Sequence, residues 1–462
     1  MPDFETSDAR LCPPYVPPAA EPVRFPLNFI HMLDNYLKII PEQAYREPIA
    51  FAPGPPRMAF ITGSELVKAV FLTRQTEFPK GRLQKKLLEP LYGGNMLAAH
   101  GPDWRWQRTA ATPLFRYEEL VQYGPAISAA ALKTVEKWHA APAGAVHAIQ
   151  NDMMHATFEV ISNILFAGGA PDMIADIEKG HADYYRGINW WAVYSLLGLP
   201  HWLPRPHGRL MRGHERRLRG AVTALVEARR GAAAGATDLI GRMLAISDPE
   251  SGRVMTEELL VDNLVGFLMA GYETTAFSLT WTLYLISQSP EWETRMREEI
   301  ERVAGAGPVT AAQVASLTVV QQVLSESLRL YPSAPVIVRD FHKDVELEGI
   351  KIAAGTIGII PIYAIHRHRK LWEDPDRFDP DRFALDHISK RPRYHYMPFG
   401  AGPRVCLGAS LAMIETTIML ATFVRAAHFE VERGFIPQPV ARMFLLPKNG
   451  MPMRVTLRKV QS

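Results

Sequence analysis

A chain of 462 residues, 47% hydrophobic and 21% charged, has enough apolar matter for a large core, which excludes a disordered or fibrous protein. A formal net charge of +3 gives no global reason to bind nucleic acid, and two cysteines, Cys12 and Cys406, exclude a disulfide framework and suit a reducing compartment. From the N-terminus, the Pro-rich stretch around Cys12, "CPPYVPPAAEPVRFP", is expected to be extended and exposed, so roughly residues 1–30 read as irregular. No basic segment followed by an apolar run precedes it, and the expectation is a cytoplasmic protein without a membrane anchor. "RMAFITG" (Arg57 to Gly63) reads as a strand followed by a helix from Ser64, and "RRGAAAGATD" (Arg229 to Asp238) as a loop between helices. Leu264 to Ile286 is apolar and long enough to span a bilayer, but Glu273 lies at its middle and Ser289-Pro290 punctuates its end. It reads as a central core helix. "PVIVRDFHKDVELEGIKIAAGTIGIIPIYAIH" (Pro335 to His366) alternates in polarity, turns at Glu348-Gly349 and Ala354-Gly355, and is expected to be β-rich. With no repeat and no long linker, residues 1–462 read as one mostly helical α+β domain.

The residues that carry chemistry interrupt these elements. Gly271 to Thr275 sets Glu273 and Thr274, an acid beside a hydroxyl, in an otherwise apolar helix; alone this reads more readily as a satisfied polar patch or a kink without catalytic work. In "SESLRLYP", Glu326 and Arg329 lie three apart on one helix face, and Arg382 of "DPDRFDPDRF" (Asp374 to Phe383) is placed to join them in a structural charge network. "FGAGPRVCLG" (Phe399 to Gly408) holds Cys406 among glycines, beside Arg404, with a helix expected to begin near Leu407. Glycines let backbone N–H groups approach a sulfur, a helix N-terminus favours a thiolate, and an arginine offers a bidentate partner for a carboxylate. An inert buried thiol is the other reading of an isolated cysteine.

Taken in order, "WRWQR", "AGYETT", "ESLR", "DPDRF" and "FGAGPRVCLG" resemble the motifs of the cytochrome P-450 superfamily of haem-thiolate monooxygenases. The cysteine loop of that family, Phe-x-x-Gly-x-Arg-x-Cys-x-Gly, is matched by Phe399, Gly402, Arg404, Cys406 and Gly408. The resemblance implies the fold of the family, with a long central helix over the haem and small β-sheets. It implies haem b with Cys406 as the axial thiolate, Trp104, Arg108, Arg339 and Arg404 around the propionates, and Phe399 packed near the sulfur. Glu273 and Thr274 would deliver protons during dioxygen activation. Above the haem, Phe267, Ala270, Ala334 to Val336, Met443 and Phe444 would line an apolar pocket, so the substrate is expected to be a hydrophobic small molecule.

"YYRGINWWAVYSLLGLPHW" (Tyr184 to Trp202) falls where the family has its mobile lid; its aromatics serve either the lid or the packing beneath it. The chain carries no Gly-rich dinucleotide fingerprint, so electrons are expected from a separate acidic ferredoxin or flavodoxin with its reductase, steered by Arg105, Arg116, Lys390, Arg391 and Arg393, with the protein acting as a monomer. A peroxide-using enzyme and a haem-based sensor or binding protein are the alternatives; the intact Glu273-Thr274 pair favours dioxygen. A metal site on His366, His368 and His395 is the weaker reading, because Arg367 and the basic neighbours repel a cation.

Overall fold

The computed structural model describes residues 11–22, 34–52, 56–81, 93–142, 144–166, 206–231, 239–244 and 252–458, with isolated positions between them. The Tyr184 to Trp202 segment therefore lies, but for single residues, outside the described residues.

Eight long helices frame the described chain: α1 (Gly101–Ala111), α2 (Gly124–Ala140), α3 (Ile149–Phe166), α4 (Gly208–Gly231), α5 (Glu257–Ser287), α6 (Pro290–Ala304), α7 (Thr318–Leu330) and α8 (Ala409–Ala426). The longest, α5, is the axis of the molecule. Its N-cap Thr256 accepts a hydrogen bond from the Leu259 N–H, and Glu257 and Glu258 sit in the positively polarised first turn. Beyond it, α3, α4, α7 and α8 all pack on α5, which is why an apolar run of this length is buried on nearly every side. The helix begins earlier than its apolar run, because Asp262 and Asn263 find partners rather than solvent. Buried Asp262 pairs with Arg219 of α4 at 2.6 Å and accepts from the Gly94 N–H at 2.7 Å, while the Asn263 side chain accepts from the Met96 N–H at 3.1 Å. Gly93 has φ 52°, and a Cβ there would lie 2.3 Å from the Asp262 carboxylate, so this loop closes on the helix only with glycine.

The strands form small sheets. β1 (Ile49–Ala52), β2 (Met58–Ile61), β4 (Ile337–Asp340) and β7 (Ile357–Ile360) make the order β1-β2-β7-β4, with β2 and β7 parallel and Met58 opposite Ile357. β3 (Val146–Ala148), β8 (Ala427–Val431) and β11 (Pro452–Leu457) form a second sheet with β11 in the middle. β5 (Val345–Leu347) with β6 (Ile350–Ile352), and β9 (Pro439–Ala441) with β10 (Leu445–Pro447), are antiparallel pairs. Glu348 and Gly349 both take positive φ, 48° and 76°, in the β5–β6 turn.

Three expectations are corrected. The β-rich segment ends before His366: Pro361 stops β7, and Ile362–Ile365 closes into a helical turn. His366 therefore does not share a strand face with His368. Its Nδ1 lies 3.1 Å from the Arg329 carbonyl and its Nε2 accepts the Met397 N–H at 2.9 Å, and the described residues contain no cluster of three metal-ligating side chains. Arg229 to Gly231 continue α4 instead of starting a loop. The Pro-rich N-terminal stretch is extended and Cys12 is exposed, but Val16 is buried: its N–H donates to the Tyr363 hydroxyl, and the Tyr331 hydroxyl donates to the Pro14 carbonyl.

Candidate active site

The cysteine loop is built from close approaches. Gly400 and Gly402 have φ 74° and 72°, and a Cβ on Gly402 would lie 2.0 Å from the Phe71 carbonyl oxygen, so no other residue fits there. The Cys406 N–H donates to the Phe399 carbonyl at 2.9 Å and closes the loop with these two residues side by side. Helix α8 begins at Ala409, two residues beyond the expected start, because Gly408 takes a non-helical conformation as its N-cap. The thiol is thus presented before the positive end of an 18-residue helix. Cys406 is reachable by solvent but recessed: desolvation raises its pKa, opposed by the Gly408 N–H and by the charge of Arg108. A thiol held beside a guanidinium and a helix terminus is suited to ligate a cation as thiolate.

Around the loop, cations converge. The Arg404 guanidinium lies 4.2 Å over the Trp104 ring of α1 and donates one hydrogen bond to the Ala99 carbonyl at 3.0 Å, while its Nη1 is buried without a partner. Arg339, on β4, is buried and sits over the Phe71 ring at 5.1 Å. Lys80 pairs through its backbone with Arg339 and donates its ammonium to the Leu97 carbonyl. Burial pushes all three down, with like charge as the second cause: Lys80 to about 7, beside Arg404 and Arg339, and Arg339 to about 10, beside Arg404. Arg404 also falls to about 10, beside Arg108. Among the described residues no carboxylate forms an ion pair with any of these four. A set of half-buried cations that repel one another and offer an unpaired N–H fits a ligand bearing two carboxylates. Trp104, Arg108, Arg339, Phe399, Arg404 and Cys406 are brought into one place. Lys80 completes the set and was not legible in the sequence, where it stands in no motif.

The middle of α5 is buried except for Phe267, Ala270, Gly271 and Thr274. Their spacing of three, four and seven makes one stripe of one helix face. The Thr274 hydroxyl donates to the Ala270 carbonyl at 2.8 Å, and buried Glu273 accepts from the Tyr272 hydroxyl at 3.0 Å. Ser333 ties the rest of the apolar lining to this stripe. Its hydroxyl and that of Ser278 lie 2.9 Å apart, both within bonding reach of the Thr274 carbonyl, and its own carbonyl accepts from the Leu445 N–H at 3.0 Å. Partly exposed Val336, Met443 and Phe444 flank that node. Ser333 is a second residue that sequence reasoning passed over, hidden between two prolines.

Behind the loop, Arg329 makes a two-pronged ion pair with Glu326 at 2.6 and 2.7 Å, both fully buried, and donates to the carbonyls of His366, Pro375 and Arg377. Glu326 also accepts from the Asp379 N–H at 2.8 Å and faces Arg382 at 3.6 Å. Arg391 is stacked over Trp372 and Phe383, at 4.7 and 4.4 Å, and donates to the Arg382 carbonyl, so it belongs to this network and not to a free docking surface. Arg105, Arg116, Lys390 and Arg393 are exposed.

The comparisons agree with this geometry. The family model for cytochrome P450 matches residues 31–454. The chain is 30% identical over 400 residues to the cyclooctat-9-en-7-ol 5-monooxygenase of Streptomyces melanosporofaciens, covering 86% of this chain and 84% of that one. It is 28% identical over 449 residues to the pentalenene oxygenase of Streptomyces avermitilis, covering 96% of both. The cytokinin hydroxylase of Arabidopsis thaliana is 28% identical over 416 residues, with 86% and 78% covered. In fold it resembles the solved cytochrome P450DA heme domain, with a TM-score of 0.80 over 89% of this chain and 90% of that one at 23% identity. The family implies a haem held by a cysteine thiolate, dioxygen and a source of electrons, and its named monooxygenases mark an oxygen-incorporating oxidoreductase. With a recessed thiol, a carboxylate-seeking cation cluster and a family match over nearly its whole length, the chain belongs to the cytochrome P450 family.

Proposed function

We propose that the protein is a haem-b monooxygenase that hydroxylates a hydrophobic, terpenoid-sized molecule with electrons from a separate acidic protein. When bound, the haem supplies dioxygen activation, and a thiolate axial ligand favours O–O cleavage. The residues divide the remaining work. Cys406 would hold the iron, and Arg108, Arg339, Arg404 and Lys80, with the Trp104 ring, would hold the propionates. Phe267, Ala270, Val336 and Phe444 offer apolar surface that seats a substrate without polar anchors and excludes water. Glu273 and Thr274 would hold and supply the protons that this chemistry consumes. In balance, one oxygen atom enters a substrate C–H bond and the other leaves as water, consuming two electrons and two protons.

The observation that carries the reading is the partly exposed stripe of α5, where Thr274 is the polar member among apolar neighbours. The relatives named as acting on cyclooctat-9-en-7-ol and pentalenene support a terpenoid substrate. Terpene hydrocarbons and their alcohols should be screened for a change in haem spin state, and the compound that gives one turned over under labelled dioxygen. The product should carry one labelled oxygen atom. Label derived from water, or turnover that requires added peroxide, would contradict the proposal.

A further inference from the structure

Glu273 is buried at 1% exposure, and a buried carboxylate is costly unless a donor holds it. One donor is its own neighbour: the Tyr272 hydroxyl gives a hydrogen bond to Glu273 Oε1 at 3.0 Å, with Tyr272 itself 2% exposed. Consecutive helix residues point about 100° apart, so this contact forms only if the tyrosine is steered sideways. Helix α3 does the steering. Phe158 meets the Tyr272 ring edge-on, with centroids 5.5 Å apart and planes at 82°, and the adjacent Thr157 hydroxyl shares its proton between the Met153 carbonyl of its own helix, at 2.8 Å, and the Tyr272 carbonyl, at 2.9 Å. Gly271 lets α3 come this close, since a Cβ there would lie 3.0 Å from Ile161. Ring and backbone of Tyr272 are therefore both clamped by one helix, and its hydroxyl is fixed in advance.

We propose that Tyr272 is a positioning residue that orients the Glu273 carboxyl and sets the pH at which it holds its proton. The inference rests on the reading of Glu273 as a proton donor. A phenol that donates to the carboxylate stabilises the ionised form left after the proton departs, and confines the carboxyl to one orientation beside Thr274.

The test uses the haem-loaded protein. Infrared difference spectra across a pH titration, with the Glu273 band identified by its loss in Glu273→Gln, report the protonation midpoint directly. Tyr272→Phe keeps the ring against Phe158 but removes this one donor, and should raise that midpoint by about one unit. The fraction of electrons recovered in product should shift its pH dependence in the same direction. Phe158→Leu loosens the packing without removing a donor and should leave the midpoint in place. A midpoint unmoved in Tyr272→Phe, or moved equally in Phe158→Leu, would overturn the inference. Should Glu273→Gln couple electrons to product as the wild type does at every pH, the reading of Glu273 itself fails, whatever Tyr272 does to the band.

Discussion

Cys406 and Thr274 stand in motifs, whereas Lys80 and Ser333 do not, and this difference decides what could be read at the scale of single residues. Phe-x-x-Gly-x-Arg-x-Cys-x-Gly makes Cys406 visible because its local backbone requirements are written in glycines at fixed positions of one short stretch. Lys80 acquires its character first from burial and then from Arg404 and Arg339, which are distant in sequence, so no local pattern announces it. That character has a consequence. With its pKa lowered from 10.5 to about 7, Lys80 is neutral in the fold at pH values where the unfolded chain still binds its proton. Stability of the cofactor-free protein should therefore rise with pH from about 7 toward 10, and that rise should vanish in Lys80→Met and when the cofactor's carboxylates offset the charge. Denaturation midpoints measured across this range check it; a rise that survives in Lys80→Met would assign it to another group. At Thr274 the expected outcome is chemical. Thr274→Ala loses the hydroxyl but keeps the apolar stripe, so haem and substrate should still bind while electrons are diverted to hydrogen peroxide. Full coupling in that variant would exclude a role in proton delivery.

Elements announced by periodicity were legible, and elements set by tertiary partners were not. The apolar run of α5 gave its middle, but not the polar turn before Leu264, whose Asp262 and Asn263 are satisfied by Arg219, Gly94 and Met96. Likewise "PIYAIH" has strand composition, yet Pro361 ends β7 and the chain turns helical so that His366 can bridge α7 to the segment before the cysteine loop. Burial and the adjacent Arg329 charge push His366 down to about 3, which keeps its Nε2 an acceptor for the Met397 N–H at any working pH. Glu326 is the other support of this region, since one carboxylate meets Arg329, Arg382 and the Asp379 N–H. Glu326→Ala leaves the Arg329 charge buried without its partner and should cost about 3–5 kcal/mol, seen as little haem-loaded protein. Ordinary yield and an unchanged denaturation midpoint would show that the backbone carbonyls around Arg329 suffice without the acid.

For the molecule as a whole, the order of five motifs along the chain carried more than composition did, because a net charge of +3 says nothing about where charge lies. The cations divide by environment: Arg108, Arg339, Arg404 and Lys80 turn inward, Arg391 is stacked on aromatic rings, and Arg105, Arg116, Lys390 and Arg393 stay exposed. Of these, only the exposed group is available to steer an acidic electron donor. Reversing charge at Lys390 and Arg393 should slow reduction by an acidic ferredoxin, most at low salt, and leave peroxide-driven turnover as it was. Reduction indifferent to both changes would place the donor on another face. The central claim is that Cys406 supplies a thiolate to haem iron, and the absorption spectrum of the reduced, carbon-monoxide-bound protein tests it most directly. The wild type should show the red-shifted Soret band of a thiolate-ligated complex, and Cys406→Ser should lose that band while Cys12→Ser keeps it. A wild-type spectrum without that band, or a Cys406→Ser spectrum identical to the wild type, would contradict the account.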